Sequence, residues 1–111
     1  MRIVLKDKYK KRTITREDGE QINKMINDLW DKEETITIDF SKVLIASVSF
    51  LDEAFGKLAF NYPKEVLTKK LSFENLEEYD RALLNDILLS RYHQTELGEN
   101  QVLRSKKKKV D

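Results

Sequence analysis

TITIDFSKVLIASVSFLDEAFGKLAFNY, residues 35–62, holds the fold of this chain in one line. Its first six residues alternate. Ile36, Ile38 and Phe40 fall on one side and Thr37 and Asp39 on the other, which is the period of a half-buried strand. From Ser49 the period changes. Phe50, Leu51, Ala54, Phe55, Leu58, Ala59 and Tyr62 recur at helical spacing, and Pro63 closes the run. Between them, Ser41 to Ser49 forms a connector whose VLIA core (43–46) is too apolar for an exposed loop. Ser49, followed three residues later by Asp52, reads as the helix N-cap in a capping-box-like pair. Ala54, Gly56 and Ala59 would let a neighbouring element approach closely.

Outward from this stretch the same two periods return. RIVL (2–5) reads as a first strand, with Lys8 to Thr13 as a charged hairpin turn or strand extension and Thr13–Ile14 able to pair back. TREDGEQINKMINDLW (15–30) is a helix capped by Thr15 with Asp18, and Ile22, Met25, Ile26, Leu29 and Trp30 form its apolar stripe. Gly19 weakens its first turn. Glu65 to Lys70 is a short helical turn, LSFEN (71–75) a third strand, and LEEYDRALLNDILLSRY (76–92) a last helix. Strand and helix alternate three times. The predicted class is therefore α/β, with helices packed on a small mixed β-sheet in two layers. The link from the strand at 35–40 to the one at 71–75 suits a parallel crossover. Residues 1–95 make one domain and 96–111 a lysine-rich, disordered tail.

Composition narrows the chemistry. Of 111 residues, 40% are apolar and 37% charged, enough for a modest core in a water-compatible chain. No apolar run nears the roughly 18 residues that span a bilayer, and no leader is evident, so a cytoplasmic protein without membrane contact is expected. There is no cysteine and one histidine, His93, which excludes disulfides, thiolate nucleophiles and His-rich zinc sites. Asp52 and Glu53 are adjacent, about 100° apart on a helix, and no base or second carboxylate stands at a defined spacing from them. With no nucleophile–base pair, metal cluster or phosphate loop, neither catalysis nor a cofactor is expected.

The net charge of +1 conceals a polarised chain. KDKYKKR (6–12) and RSKKKKVD (104–111) each carry five basic residues and one acid. Without them, 11 basic residues face 18 acidic ones. Lys10, Lys11, Arg12, Lys106, Lys107, Lys108 and Lys109 are therefore candidate contacts for a polyanion through weak, salt-sensitive attraction. No aromatic residue is interleaved for base stacking in the C-terminal run.

The run DFSKV, an apolar connector and a serine opening an apolar helix resembles the centre of a STAS domain, the fold of bacterial anti-sigma-factor antagonists. More closely, IDFSKV, SFLDEAFGKL, LSFEN and DRALL together resemble a prokaryotic STAS-like family of unknown function, over roughly 17–91. In the phosphoregulated antagonists, a kinase that is also the anti-sigma factor modifies the serine opening this helix and releases the antagonist. The resemblance carries that position to Ser49, the candidate phosphorylation or switch residue. Ser47 stands where an acid is usual, and Phe50–Leu51 where Gly-Leu is common. It implies a non-enzymatic signalling and protein-interaction domain. Its partner would be a regulatory protein such as a histidine-kinase-like ATPase or anti-sigma factor. The partner surface implied comprises Asp39, Ser41, Ser47, Ser49, Phe50, Asp52 and Glu53. The alternative is a nucleic-acid-associated accessory protein using the two basic segments. A homodimer through a sheet edge or the small-residue helix face is also compatible with the sequence.

Overall fold

The computed structural model describes the backbone of residues 1–110 and the side chains of residues 1–95. In chain order the elements are β1 (Arg2–Val4), α1 (Leu5–Tyr9), β2 (Thr13–Ile14), α2 (Arg16–Leu29), β3 (Ile36–Asp39), β4 (Leu44–Ile45) and α3 (Val48–Ala54). A 3-10 turn (Gly56–Phe60), α4 (Lys64–Lys70), β5 (Leu71–Glu74) and α5 (Glu78–Val110) follow. The class is α/β, as the alternation predicts.

Sheet pairing departs from the expected mixed sheet. Every pairing among the described residues is parallel. β3 is central between β1 and β5, with Arg2 opposite Thr37 and Thr37 opposite Ser72. Thr13–Ile14 does not fold back on β1; as β2 it pairs with β4 in a separate two-stranded ribbon. The chain cannot turn back at Lys8–Thr13 because Leu5–Tyr9 winds into a helical turn that buries Leu5. Lys10, at φ 54°, ends that turn in the left-handed region.

Alternation along the strands separates the faces. Ile3, Ile36, Ile38 and Leu71 are buried, while Arg2, Thr37, Ser72 and Glu74 stand on the opposite side and are exposed or half-exposed. The buried side receives α2 through Ile22, Ile26 and Trp30, and α3 through Phe50, Leu51 and Ala54. Phe40, Phe50, Phe55 and Phe73 meet there at centroid separations of 4.9–6.4 Å, mostly edge to face. Fully burying one such ring contributes roughly 2–3 kcal/mol, with about 0.5–1.5 kcal/mol more from each well-oriented aromatic pair. Trp30 stacks on Tyr62 at 3.9 Å, pinning the end of α2 to the chain after the 3-10 turn.

The helix expected from Ser49 to Tyr62 is two pieces. Phe55, at φ −122° and ψ −37°, interrupts it, and the chain continues as the tighter 3-10 turn. A Cβ on Gly56 would overlap Asp52 Oδ1 and stand 2.8 Å from Ile87 Cγ2, so glycine permits α5 to pass here. Gly19 has a similar role. A Cβ there would lie 2.8 Å from the Phe50 carbonyl oxygen and 3.2 Å from Glu53 Cβ. What looked like a weak first turn is the point where the backbone of α2 lies against the backbone of α3 at Phe50. The last helix starts at Glu78 rather than Leu76, and its backbone runs to Val110, so His93 lies within it. The side chains of the expected tail 96–111, including Lys106 to Lys109, lie outside the described residues.

Candidate functional site

The connector between β3 and α3 is held from below by Asp39. The last residue of β3, it accepts hydrogen bonds from Ser41 N–H at 2.9 Å, Asn75 Nδ2 at 2.9 Å and Arg2 NH2 at 2.7 Å. The Asn75 amide and the Ser41 N–H, then the Arg2 guanidinium, hold its carboxyl down at about 2. Arg2 also pairs with Glu74 at 2.5 Å, so one guanidinium from the start of β1 bridges the two carboxylates that end β3 and β5. Asp39 is 6% exposed, which makes it the anchor of the connector and not part of its surface.

Ser47, not Ser49, is the N-cap of α3. Its backbone is extended (φ −153°, ψ 143°), and its Oγ accepts from Ser49 N–H at 3.2 Å. The two hydroxyls also bond each other at 2.7 Å. Ser49 therefore sits inside the first turn, one position after Val48. Asp52 does not close a capping box. It faces α5, where Arg91 donates from Nε to Oδ1 at 2.9 Å and from NH2 to Oδ2 at 2.5 Å, a bidentate pair. Glu53 is buried against α2 and held by Arg16 NH2 at 3.0 Å and Lys57 Nζ at 2.5 Å. Lys57, against the opposing effect of burial, and then Arg16 keep its carboxyl below the usual range.

The seven residues of the implied partner surface thus divide. Asp39, Phe50 and Glu53 are buried supports; Asp52 is engaged with Arg91; Ser41, Ser47 and Ser49 remain at the surface. Sequence reasoning missed two exposed apolar neighbours, Leu44 at 48% and Val48 at 49%. The VLIA run suggested burial for the whole connector, yet only Val43 and Ile45 are half-buried within it. Arg91 was also missed, because nothing in local spacing links it to Asp52. A shallow groove of about 460 Å3 lies between the first turn of α3 and α5, lined by Val48, Ser49, Asp52, Asp86, Arg91 and their neighbours.

In the basic N-terminal segment, Lys11 is neutralised by Asp18 at 2.7 Å, inside the Thr15 capping box. Burial pushes the Asp18 carboxyl up, but Lys11 and Thr15 outweigh it and leave it lowered. Lys10 and Arg12 are exposed. Among the described residues, no three His, Cys, Asp or Glu side chains group to hold a metal, and no helix is long and apolar enough to cross a membrane.

The strand, the connector and the two following helical pieces lie inside a stretch, residues 18–81, that matches the model of the STAS-like domain of unknown function (DUF4325). The chain belongs to this family. No curated protein and no solved structure matches it. The matched stretch of this STAS-like domain leaves out β1, which completes the sheet, and most of α5, which carries Arg91.

Proposed function

We propose that this STAS-like domain is a non-catalytic interaction module that binds a regulatory protein through the connector and first turn, Ser41 to Phe55. The observation that carries the reading is the exposure of Leu44 and Val48, large apolar side chains on either side of Ser47, on a segment supported by buried groups. Exposed apolar residues beside rigid, paired charges suit a docking surface with a few apolar anchors and a polar rim. A histidine-kinase-like ATPase or anti-sigma factor in the cytoplasm is the partner class that the family resemblance favours.

Ser49 is the switch in this reading. A phosphate would add about −1.5 to −2 charge beside Asp52 and compete with it for Arg91. Weakening that pair loosens α3 from α5 and changes how Val48 is presented.

Affinity capture with the cognate regulator, comparing wild type with Val48→Asp, Leu44→Asp and Ser49→Asp, tests this. Each substitution is expected to weaken capture by about tenfold or more, while Val66→Asp, on the exposed side of α4, leaves it intact. A partner indifferent to all three connector substitutions would sink the proposal.

A further inference from the structure

At the carboxyl ends of the parallel strands the chain leaves in three directions: into α1 after β1, into the Ser41–Lys42 turn after β3, and through Asn75 toward α5 after β5. Between these exits is a cleft of about 480 Å3, within the range of small-molecule sites and at the end of an open parallel sheet where ligands generally bind. Because β3 is central, the exits of β1 and β5 face each other across the β3 turn.

The two sides are opposite in charge. Lys6 of α1, Arg12 and Lys42 line the cleft from the β1 side and the turn, and Glu77 and Asp80 line it from the β5 side. None of these five takes part in an ion pair among the described residues, whereas Asp18, Asp39, Asp52 and Glu53 are all paired. Burial and then the charge of Glu77 push the Asp80 carboxyl up, as befits an acid without a cation. Between the charged sides lie Val43, Ile45 and Leu76, all half-buried. Lys42 holds φ 62°, a conformation that favours glycine, yet the position carries a cation at the cleft.

We propose that this cleft binds a small amphiphilic anion. Its phosphate or carboxylate group lies against Lys6, Arg12 and Lys42, its body on Val43 and Leu76, and its hydroxyl or amino donors toward Glu77 and Asp80. Separated, unpaired charges in a concave, partly desolvated site favour a ligand polarised in the same sense. The cleft shares Ser41 and Leu44 with the proposed docking segment, whereas Val48 and Ser49 do not line it, so Val48→Asp perturbs partner binding without touching the anion site.

Isothermal titration calorimetry on the full chain tests it, with ribose 5-phosphate, adenosine monophosphate and citrate as probes and inorganic phosphate as the bare head group. At least one of the three organic anions is expected to bind about tenfold or more tighter than inorganic phosphate. Binding only by the phosphomonoesters assigns the head group as phosphate, and binding only by citrate as carboxylate. Lys42→Gly removes the ammonium and suits the positive φ, so it and Arg12→Gln should each weaken binding about tenfold without lowering the melting temperature. Lys69→Gln, on α4, should change nothing. Absence of heat from all probes to about 10 mM, inorganic phosphate binding as tightly as every organic probe, or indifference to both cleft variants overturns the proposal.

Discussion

Replacing Asp39 by asparagine keeps the size of the side chain and removes its charge, and the structure sets the cost. The carboxylate is almost fully buried and receives three donors, from Ser41, Asn75 and Arg2. Asparagine retains one acceptor oxygen and turns an NH2 toward groups that are themselves donors. Its size follows from titration. The carboxyl is held at about 2 in the folded state against an ordinary 3.8. At about 1.4 kcal/mol per pH unit this is roughly 2 kcal/mol of folding free energy, an upper figure because Arg2 is half-exposed to solvent. Since the folded value is the lower one, this stability is complete at neutral pH. It begins to fall below about pH 5 and is lost as pH drops through 2. Asp39→Asn should therefore unfold about 2 kcal/mol more easily at pH 7, a melting temperature roughly 8 °C lower for a domain of this size. Urea denaturation followed by circular dichroism at pH 7, 4 and 2.5 measures both the cost and its pH dependence. The gap between wild type and variant should narrow as pH falls. A cost below about 0.5 kcal/mol at pH 7, or a gap that stays constant down to pH 2.5, would refute the assignment of Asp39 as the carboxylate clamp of the strand ends.

Three further outcomes follow from packing and capping. Gly19→Ala should lower stability by about 1–2 kcal/mol in thermal melts, despite the better helix propensity of alanine, because α2 must move off the Phe50 carbonyl; a variant at or above wild-type stability contradicts the close approach. Ser47→Ala should cost about 1 kcal/mol and Ser49→Ala less than half of that, and equilibrium unfolding showing the reverse order would return the cap to Ser49. In a double-mutant cycle of Asp52→Ala and Arg91→Ala, the bidentate geometry predicts a coupling near 1 kcal/mol that shrinks in about 1 M salt, and zero coupling contradicts a formed pair.

Where local chemistry decided the outcome, the sequence was readable. The alternation of Ile36, Ile38 and Phe40 gave the buried face of β3, and Thr15 with Asp18 gave the start of α2. Residues placed by distant neighbours were not readable. Ser49, with Asp52 three positions on, has the capping-box spacing that Ser47 lacks, yet the extended backbone of Ser47 and the capture of Asp52 by Arg91 move the cap to Ser47. The break at Phe55 was concealed by an apolar period that continues unbroken through Tyr62, and it depends on α5 passing Gly56 at Ile87. β2 and β4 are two residues each, too short for any period, and they pair only because the ends of their sequences meet in space. At the candidate site, hydroxyls and acids could be named in advance. Exposure could not, since it requires knowing which side of the connector faces the core.

The parallel register has a consequence for how the chain reaches this structure. Arg2 faces Thr37 and Ile36 faces Leu71, each partner 35 positions away, and Thr13 faces Leu44 at 31. No described strand can find its partner through a hairpin, so each pairing must first close a long loop. Helical turns form in well under a millisecond, whereas such distant pairings slow folding. As the chain is synthesised, β3 can meet β1 early but stays open on its other edge until residues 71–74 emerge. Ile36, Ile38 and Phe40 pass that interval beside an unpaired edge, the stage at which two unfinished chains would pair with each other.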